Sequence, residues 1–192
     1  MGPLRPPRRV DAGCELDPST VLPLTFTLNR QAVFTSGLEA VVYIDNPGHL
    51  KKYSFTSGAT EDFGVVETTD YTSPVDVTPQ GDVVLVVQRP QTGNDVTWMT
   101  LDPLSKMHDV IATPRDEVGN KLSPNGKWLP YCFDENGVTN LSVAAFPAGR
   151  PPWQLTTAGG CQATWSADGH ELFFCFRWIS QIPRIALHPF MT

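Results

Sequence analysis

The chain has 192 residues, 41% of them hydrophobic and 18% charged, with 18 prolines, 15 glycines and a formal net charge of −6. A chain of this length can bury roughly 70% of its unfolded surface, and the proline and glycine content disfavours long helices. The acidic balance and scattered basic residues argue against a nucleic-acid partner, which would meet a basic stripe. The longest apolar runs, Val83 to Val87 and Leu172 to Phe176, are far below the roughly 20 residues of a membrane helix.

Residues 1–19 open as Met1-Gly2-Pro3-Leu4-Arg5-Pro6-Pro7-Arg8-Arg9 and offer neither a strand nor a helix period, so a disordered lead-in is expected. No apolar segment follows as a secretory signal requires. The chain as it stands therefore reads as cytoplasmic, or as periplasmic if it belongs to an exported parent. Thr20 to Thr27 reads as a single strand of the kind found at an outer sheet edge.

Four short turns ending in glycine follow: Phe34-Thr35-Ser36-Gly37, Thr78-Pro79-Gln80-Gly81, Ser123-Pro124-Asn125-Gly126 and Ser166-Ala167-Asp168-Gly169, with glycines 44, 45 and 43 residues apart. Three residues after each glycine comes an apolar run: Ala40 to Ile44, Val84 to Gln88, Leu129 to Phe133 and Leu172 to Phe176. Such runs suit a central strand covered on both faces. Further strands are expected at Leu50 to Phe55, Val96 to Leu101, Asn140 to Phe146 and Arg184 to His188, and outer ones at Phe63 to Glu67, Met107 to Ala112 and Pro152 to Thr156. Asn46-Pro47-Gly48, residues 89–95 and Asp134-Glu135-Asn136-Gly137 supply the hairpin turns.

A period near 44 with about four strands per unit is the signature of a β-propeller blade. The expected fold is all-β, a β-propeller of about four four-stranded blades at residues 31–67, 73–112, 118–156 and 161–188, forming an incomplete arc of a larger propeller. The alternative is a four-blade ring closed by Thr20 to Thr27. Counting six residues from each glycine places Tyr43, Val87, Cys132 and Cys175 at one repeat position. On that count Cys132 and Cys175 are small buried hydrophobes rather than a bonded pair. A Cys161–Cys175 disulfide requires a register that sets the two opposite across the last hairpin.

The residues from Leu122-Ser123-Pro124-Asn125-Gly126-Lys127-Trp128-Leu129 through Trp165-Ser166-Ala167-Asp168-Gly169-His170 resemble the S-P-D-G-K repeat of the TolB-like, or PD40, propeller family. They are most similar to the propellers C-terminal to bacterial serine/threonine protein kinases. The match is specific over residues 120–176, moderate over 70–112 and a matter of register over 20–67. The resemblance implies a WD40-like, non-catalytic sensor or protein-binding propeller. Against the family pattern, Pro130 stands in a central strand, where its missing N–H is expected to break a ladder bond.

No residue set points to chemistry, so no catalytic, cofactor-binding or metal-binding residue is assigned, and no cofactor is expected. The G-x-S-x-G elbow of a hydrolase is absent, and Ser36, Ser123 and Ser166 belong to repeat turns. The glycine-rich loop, H-R-D and D-F-G of a kinase are absent as well. His170-Glu171 lacks the second histidine of a zinc-protease motif, and His49, His108 and His188 fall in different blades. Asp134-Glu135-Asn136-Gly137 lacks the remaining ligands of a calcium loop. Trp98, Trp128, Trp153, Trp165 and Trp178 occupy unlike repeat positions and are read as inter-blade packing. Asn140-Leu141-Ser142 matches a glycosylation sequon by pattern alone. The expected function is recognition of a protein or small ligand through surface loops. The alternatives are the propeller of a prolyl-oligopeptidase-like hydrolase and a fragment without independent function.

Overall fold

The computed structural model describes residues 31–45, 48–66, 71–149, 152–175 and 184–186. Fifteen strands form four antiparallel sheets among them. Blade 1 holds β1 (Ala32–Phe34), β2 (Ala40–Asp45), β3 (His49–Ser54) and β4 (Thr60–Val65). Blade 2 holds β5 (Thr72–Val77), β6 (Asp82–Arg89), β7 (Gly93–Thr100) and β8 (His108–Ile111). Blade 3 holds β9 (Glu117–Gly119), β10 (Trp128–Glu135), β11 (Val138–Ala145) and β12 (Trp153–Gln154). Blade 4 holds β13 (Cys161–Trp165), β14 (Glu171–Cys175) and β15 (Arg184–Ala186). Each blade is a meander with strands in chain order. Among the described residues the sheets follow one another as an arc that does not close. The lead-in, Thr20 to Thr27, Trp178 and His188 lie outside the described residues.

The turn between the first and second strand of each blade repeats in atomic detail. Thr35, Thr78, Ser123 and Ser166 each open it, and their N–H groups bond the carbonyls of Ala40, Asp82, Trp128 and Glu171. The opening hydroxyl in turn accepts the N–H of that same closing residue, at 3.2, 3.0, 3.0 and 2.9 Å respectively. Three residues after the opener a left-handed backbone is needed, and it falls on Leu38 (φ 57°), Gly81 (93°), Gly126 (70°) and Gly169 (74°). Gly37 is therefore not the counterpart of the other three glycines. Leu38 is, and the first repeat is shifted by one residue from the glycine alignment.

The second turn differs in another way: Thr78 to Asp82 spans one residue fewer than the other three. Counted from the closing residue, the strand position of Cys132 and Cys175 is shared by Ile44 and Val86. Tyr43 and Val87 thus lie on the other face of their strands, correcting the expectation that groups them with the cysteines. Odd steps from the closing residue point to the preceding blade and even steps to the following one. Val83, Leu85 and Val87 pack with Val42 of blade 1, whereas Val84 and Val86 pack with Leu129, Tyr131 and Phe133 of blade 3. Leu172 and Phe174 of blade 4 meet Leu141, Val143 and Cys132 of blade 3. Each of these interfaces is an apolar layer whose burial from water supplies the main attraction between blades.

Cys132 sits at an even step and reaches blade 4, where it forms a disulfide with Cys161 across a Cα–Cα distance of 5.6 Å. The expectation that Cys132 is only a small packed hydrophobe is corrected by its direction: it faces the next blade's innermost strand. Cys175, at the same step of the last described blade, is free and exposed. Cys161 and Cys175 are nonetheless direct partners in the β13–β14 ladder. Pro130 costs no β10–β11 bond. Its carbonyl accepts the Asn120 N–H at 2.9 Å, and a strand residue's N–H and C=O share an edge. Its ring nitrogen therefore faces β9, which ends at Gly119.

Candidate functional site

The innermost strands β1, β5, β9 and β13 line an open, concave cavity of about 400 Å³ on their sides that face away from the sheets. That volume falls within the usual size of small-ligand clefts. The wall is mixed in character, with Gln31 and Phe34 from blade 1, Asn120 and Lys121 from blade 3, and Gln162 and Thr164 from blade 4. Gln31 accepts a hydrogen bond from Ser73 Oγ at 2.9 Å, tying blade 1 to blade 2. Asn120 Oδ1 accepts the Ala163 N–H at 3.0 Å, and the Lys121 carbonyl accepts Trp165 Nε1 at 3.1 Å. These bonds fix blade 3 against blade 4 and hold the wall in shape.

Gln162 has φ 53° and lies within a register shift between Cys161 and Thr164, so the extra residue of a bulge turns this amide onto the cavity. Phe34, 55% exposed, also belongs to an aromatic row on blade 1. Its ring lies 6.1 Å from Phe55, which meets Tyr53 edge-on at 5.7 Å. Leu38, at 69% exposure, adds apolar surface on the same turn. Amides, a hydroxyl, one cation and an aromatic row are equipment for holding a ligand by hydrogen bonds and stacking. They do not assemble a nucleophile with its base.

The residues weighed in the sequence fall elsewhere. The hydroxyls of Ser123 and Ser166 are engaged in their turns by Asn125 and Asp168 as well as by the closing N–H. His49 pairs with Asp62 at 2.9 Å, an interaction that also lowers the Asp62 carboxyl, and His108 stacks on Trp98 at 5.0 Å. His170 is exposed beyond the Asp168 turn. Asp134 to Gly137 is a hairpin with left-handed Asn136 and Gly137, and Asp134 Oδ1 accepts the Gly137 N–H. Asn140 is buried and accepts the Gly159 N–H at 3.1 Å, so the sequon is a core strut. Trp128 packs edge-on against Trp153 at 5.3 Å, and Trp98, Trp128 and Trp165 border the inter-blade layers. Among the described residues no group of three or more His, Cys, Asp or Glu is placed to hold a metal ion.

Besides Asp45, which Lys51 pairs at 2.6 Å, two buried carboxylates escaped the sequence reading. Asp95 is fully buried, takes Arg89 at 3.1 Å and Thr92 Oγ1 at 2.6 Å on Oδ2, and leaves Oδ1 without a hydrogen-bond partner. Glu117 is buried at the start of β9 and bonded by Thr113. Burial pushes its carboxyl up to about 7, against the pull of the Thr113 bonds. No sequence signal marks either one, because Asp95 stands at the start of β7 and Glu117 at the start of β9, beside turns where acidic residues are ordinarily solvated.

A scan against family models finds no match, and a search of curated proteins finds none. Among solved structures, TolB from Acinetobacter baumannii is 15% identical, with 83% of this chain aligned at a TM-score of 0.64. A putative TolB from Agrobacterium tumefaciens is 15% identical over 84% of the chain at 0.66. An oligogalacturonate lyase from Vibrio parahaemolyticus is 10% identical over 86% at 0.62. At these identities the likeness establishes the propeller fold. The chain spans 41%, 59% and 52% of those three structures, about half of their length.

Proposed function

We propose that the chain is a non-catalytic recognition module. Its ligand, a protein segment or a small molecule, lies against the innermost strands and the aromatic row beside Phe34. The observation that carries this reading is the cavity itself: Gln31, Gln162, Lys121 and the exposed Phe34 line one concave wall. Polar groups that converge in a preformed cleft fix a ligand's orientation, and the aromatic surface contributes affinity. The parent is read as TolB-like or as a bacterial kinase carrying this propeller as its sensor. The inter-blade disulfide favours an oxidising compartment, where such bonds persist, and so favours an exported location for this part of the protein.

Because a lyase shares the fold, an enzymatic reading is the competitor, and Glu117, whose carboxyl burial raises to about 7, is its candidate for proton transfer near neutrality. Its oxygens, however, are both taken by Thr113. Purified chain is expected to show no peptidase, esterase, kinase or oligogalacturonide-cleaving turnover. A ligand captured by the wild type is expected to be lost on Lys121→Glu or Phe34→Ser. Turnover abolished by Glu117→Gln, or capture unaffected by both cavity variants, would overturn the proposal.

A further inference from the structure

Cys161 has two possible partners. It is bonded to Cys132 across the blade 3–blade 4 interface, Cα to Cα 5.6 Å. It is also the direct antiparallel partner of Cys175, the free and exposed cysteine of β14. Opposed residues in an antiparallel ladder have Cα atoms about 4.5–5.5 Å apart, within the roughly 4.4–6.8 Å that a disulfide spans. Both backbone spacings accept the bond.

We propose that Cys161 is the shared member of two alternative disulfides, and that exchange between them is a switch on the docking of blade 4. In the step, the Cys175 thiolate attacks Cys161 Sγ. A Cys161–Cys175 bond forms as the Cys132–Cys161 bond breaks, and Cys132 leaves with the electron pair and takes up the proton that Cys175 released. The number of disulfides is unchanged, so no oxidant or reductant is consumed.

Three features of the site support the exchange. The attacking sulfur is on the exposed side of the last described blade. The leaving sulfur is met by Asn120 Nδ2 at 3.5 Å, a donor that favours the departing thiolate. Cys161 borders a register shift on β13 in which Gln162 holds φ 53°, a left-handed backbone that strains a non-glycine residue. Alternation with buried Phe174 points Cys175 away from blade 3, while the bulge turns Cys161 toward it. Exchange therefore requires the bulge to relax and bring Cys161 over its ladder partner. Gln162 and Thr164 lie in that same segment and line the cavity. Exchange thus removes the covalent link between blades and reshapes the cavity wall, whatever the cavity binds.

The test uses the full chain in a Cys14→Ser background, so that three cysteines remain. Oxidised protein is held at about pH 6.5 and about pH 8.5, because only the thiolate attacks, then alkylated and cut with a glutamate-specific protease. Cleavage after Glu135 and Glu171 places the three cysteines on separate peptides. The Cys161–Cys175 peptide is expected to appear faster at the higher pH, with alkylated Cys132 rising in equal measure. Cys132→Ser is expected to convert fully to Cys161–Cys175, and Cys175→Ser to hold only Cys132–Cys161. The proposal is overturned if wild type keeps Cys132–Cys161 alone at both pH values. It is equally overturned if folded Cys132→Ser leaves Cys161 and Cys175 both alkylatable under oxidising conditions. Should Cys132→Ser not fold, the wild-type measurement decides.

Discussion

Replacing Leu38 with glycine should stabilise the protein, although it deletes an apolar side chain. Leu38 occupies the left-handed position of the first repeat turn at φ 57°, where a side chain costs about 1–2 kcal/mol. At 69% exposure it returns little through burial. Glycine's greater freedom in the unfolded chain takes back about 0.5–1 kcal/mol, so Leu38→Gly should gain about 0.5–1 kcal/mol. That corresponds to roughly 1–4 °C in Tm for a chain of this size. Gly81→Ala is the mirror experiment. A Cβ there meets nothing within 4 Å, so its loss of about 0.5–1 kcal/mol reports the backbone alone. Gly37→Ala is the control: its added Cβ would meet only the end of the exposed Glu39 side chain, which can swing aside, and little change is expected. Equilibrium urea unfolding of the three variants reads all of this. If Leu38→Gly destabilises, or Gly37→Ala costs as much as Gly81→Ala, the register derived from the turn bonds is wrong.

Further outcomes follow from single contacts. At Gly149, with φ 68°, an added Cβ would lie 1.9 Å from the Val110 carbonyl oxygen, so Gly149→Ala should lose more than about 2 kcal/mol by thermal unfolding. Asp76 accepts the Leu122 N–H at 2.9 Å across the blade 2–blade 3 interface. Asp76→Ala should lose about 1–3 kcal/mol by leaving that buried donor unpaired, and Asp76→Asn should recover part of it. Glu117, lifted by burial from 4.5 to about 7, holds a proton in the folded chain that the unfolded chain releases between those values. Stability should therefore fall as pH rises from 4.5 to 7. Glu117→Gln should flatten this slope in urea titrations across that range, and an unchanged slope would remove Glu117 as its source.

The arc of blades was legible because the second strand of blades 1 to 3 is buried on both faces and so reads as a continuous apolar run, β14 keeps the same apolar run with one face more open, and serine, threonine, glycine and proline punctuate the turns. The one-residue errors came from taking glycine as the marker. What the turn conserves physically is a hydroxyl that receives the closing N–H, at Thr35, Thr78, Ser123 and Ser166. Leucine can bear the left-handed backbone where its side chain is exposed. A one-residue slip reverses the face of every side chain on a strand, which is why Tyr43 and Val87 were grouped with the cysteines. The Cys132–Cys161 bond stayed hidden because it joins different blades, and a spacing of 29 residues carries no local signal. The cavity was hidden too. Its walls come from innermost strands as short as Ala32–Phe34 and Glu117–Gly119, too brief for a period to show, and its shape depends on how four sheets fan around it.

The alternation of faces underlies the repeat equivalence, the inter-blade disulfide and the position of the cavity wall, and methyl-labelled nuclear Overhauser spectroscopy on β6 reads it directly. Leu85 and Val87 methyls should show cross-peaks to Val42 of blade 1, and Val84 and Val86 methyls to Leu129 of blade 3, in keeping with the two separate apolar layers. Cross-peaks from Val87 to Leu129, or from Val86 to Val42, would contradict the account.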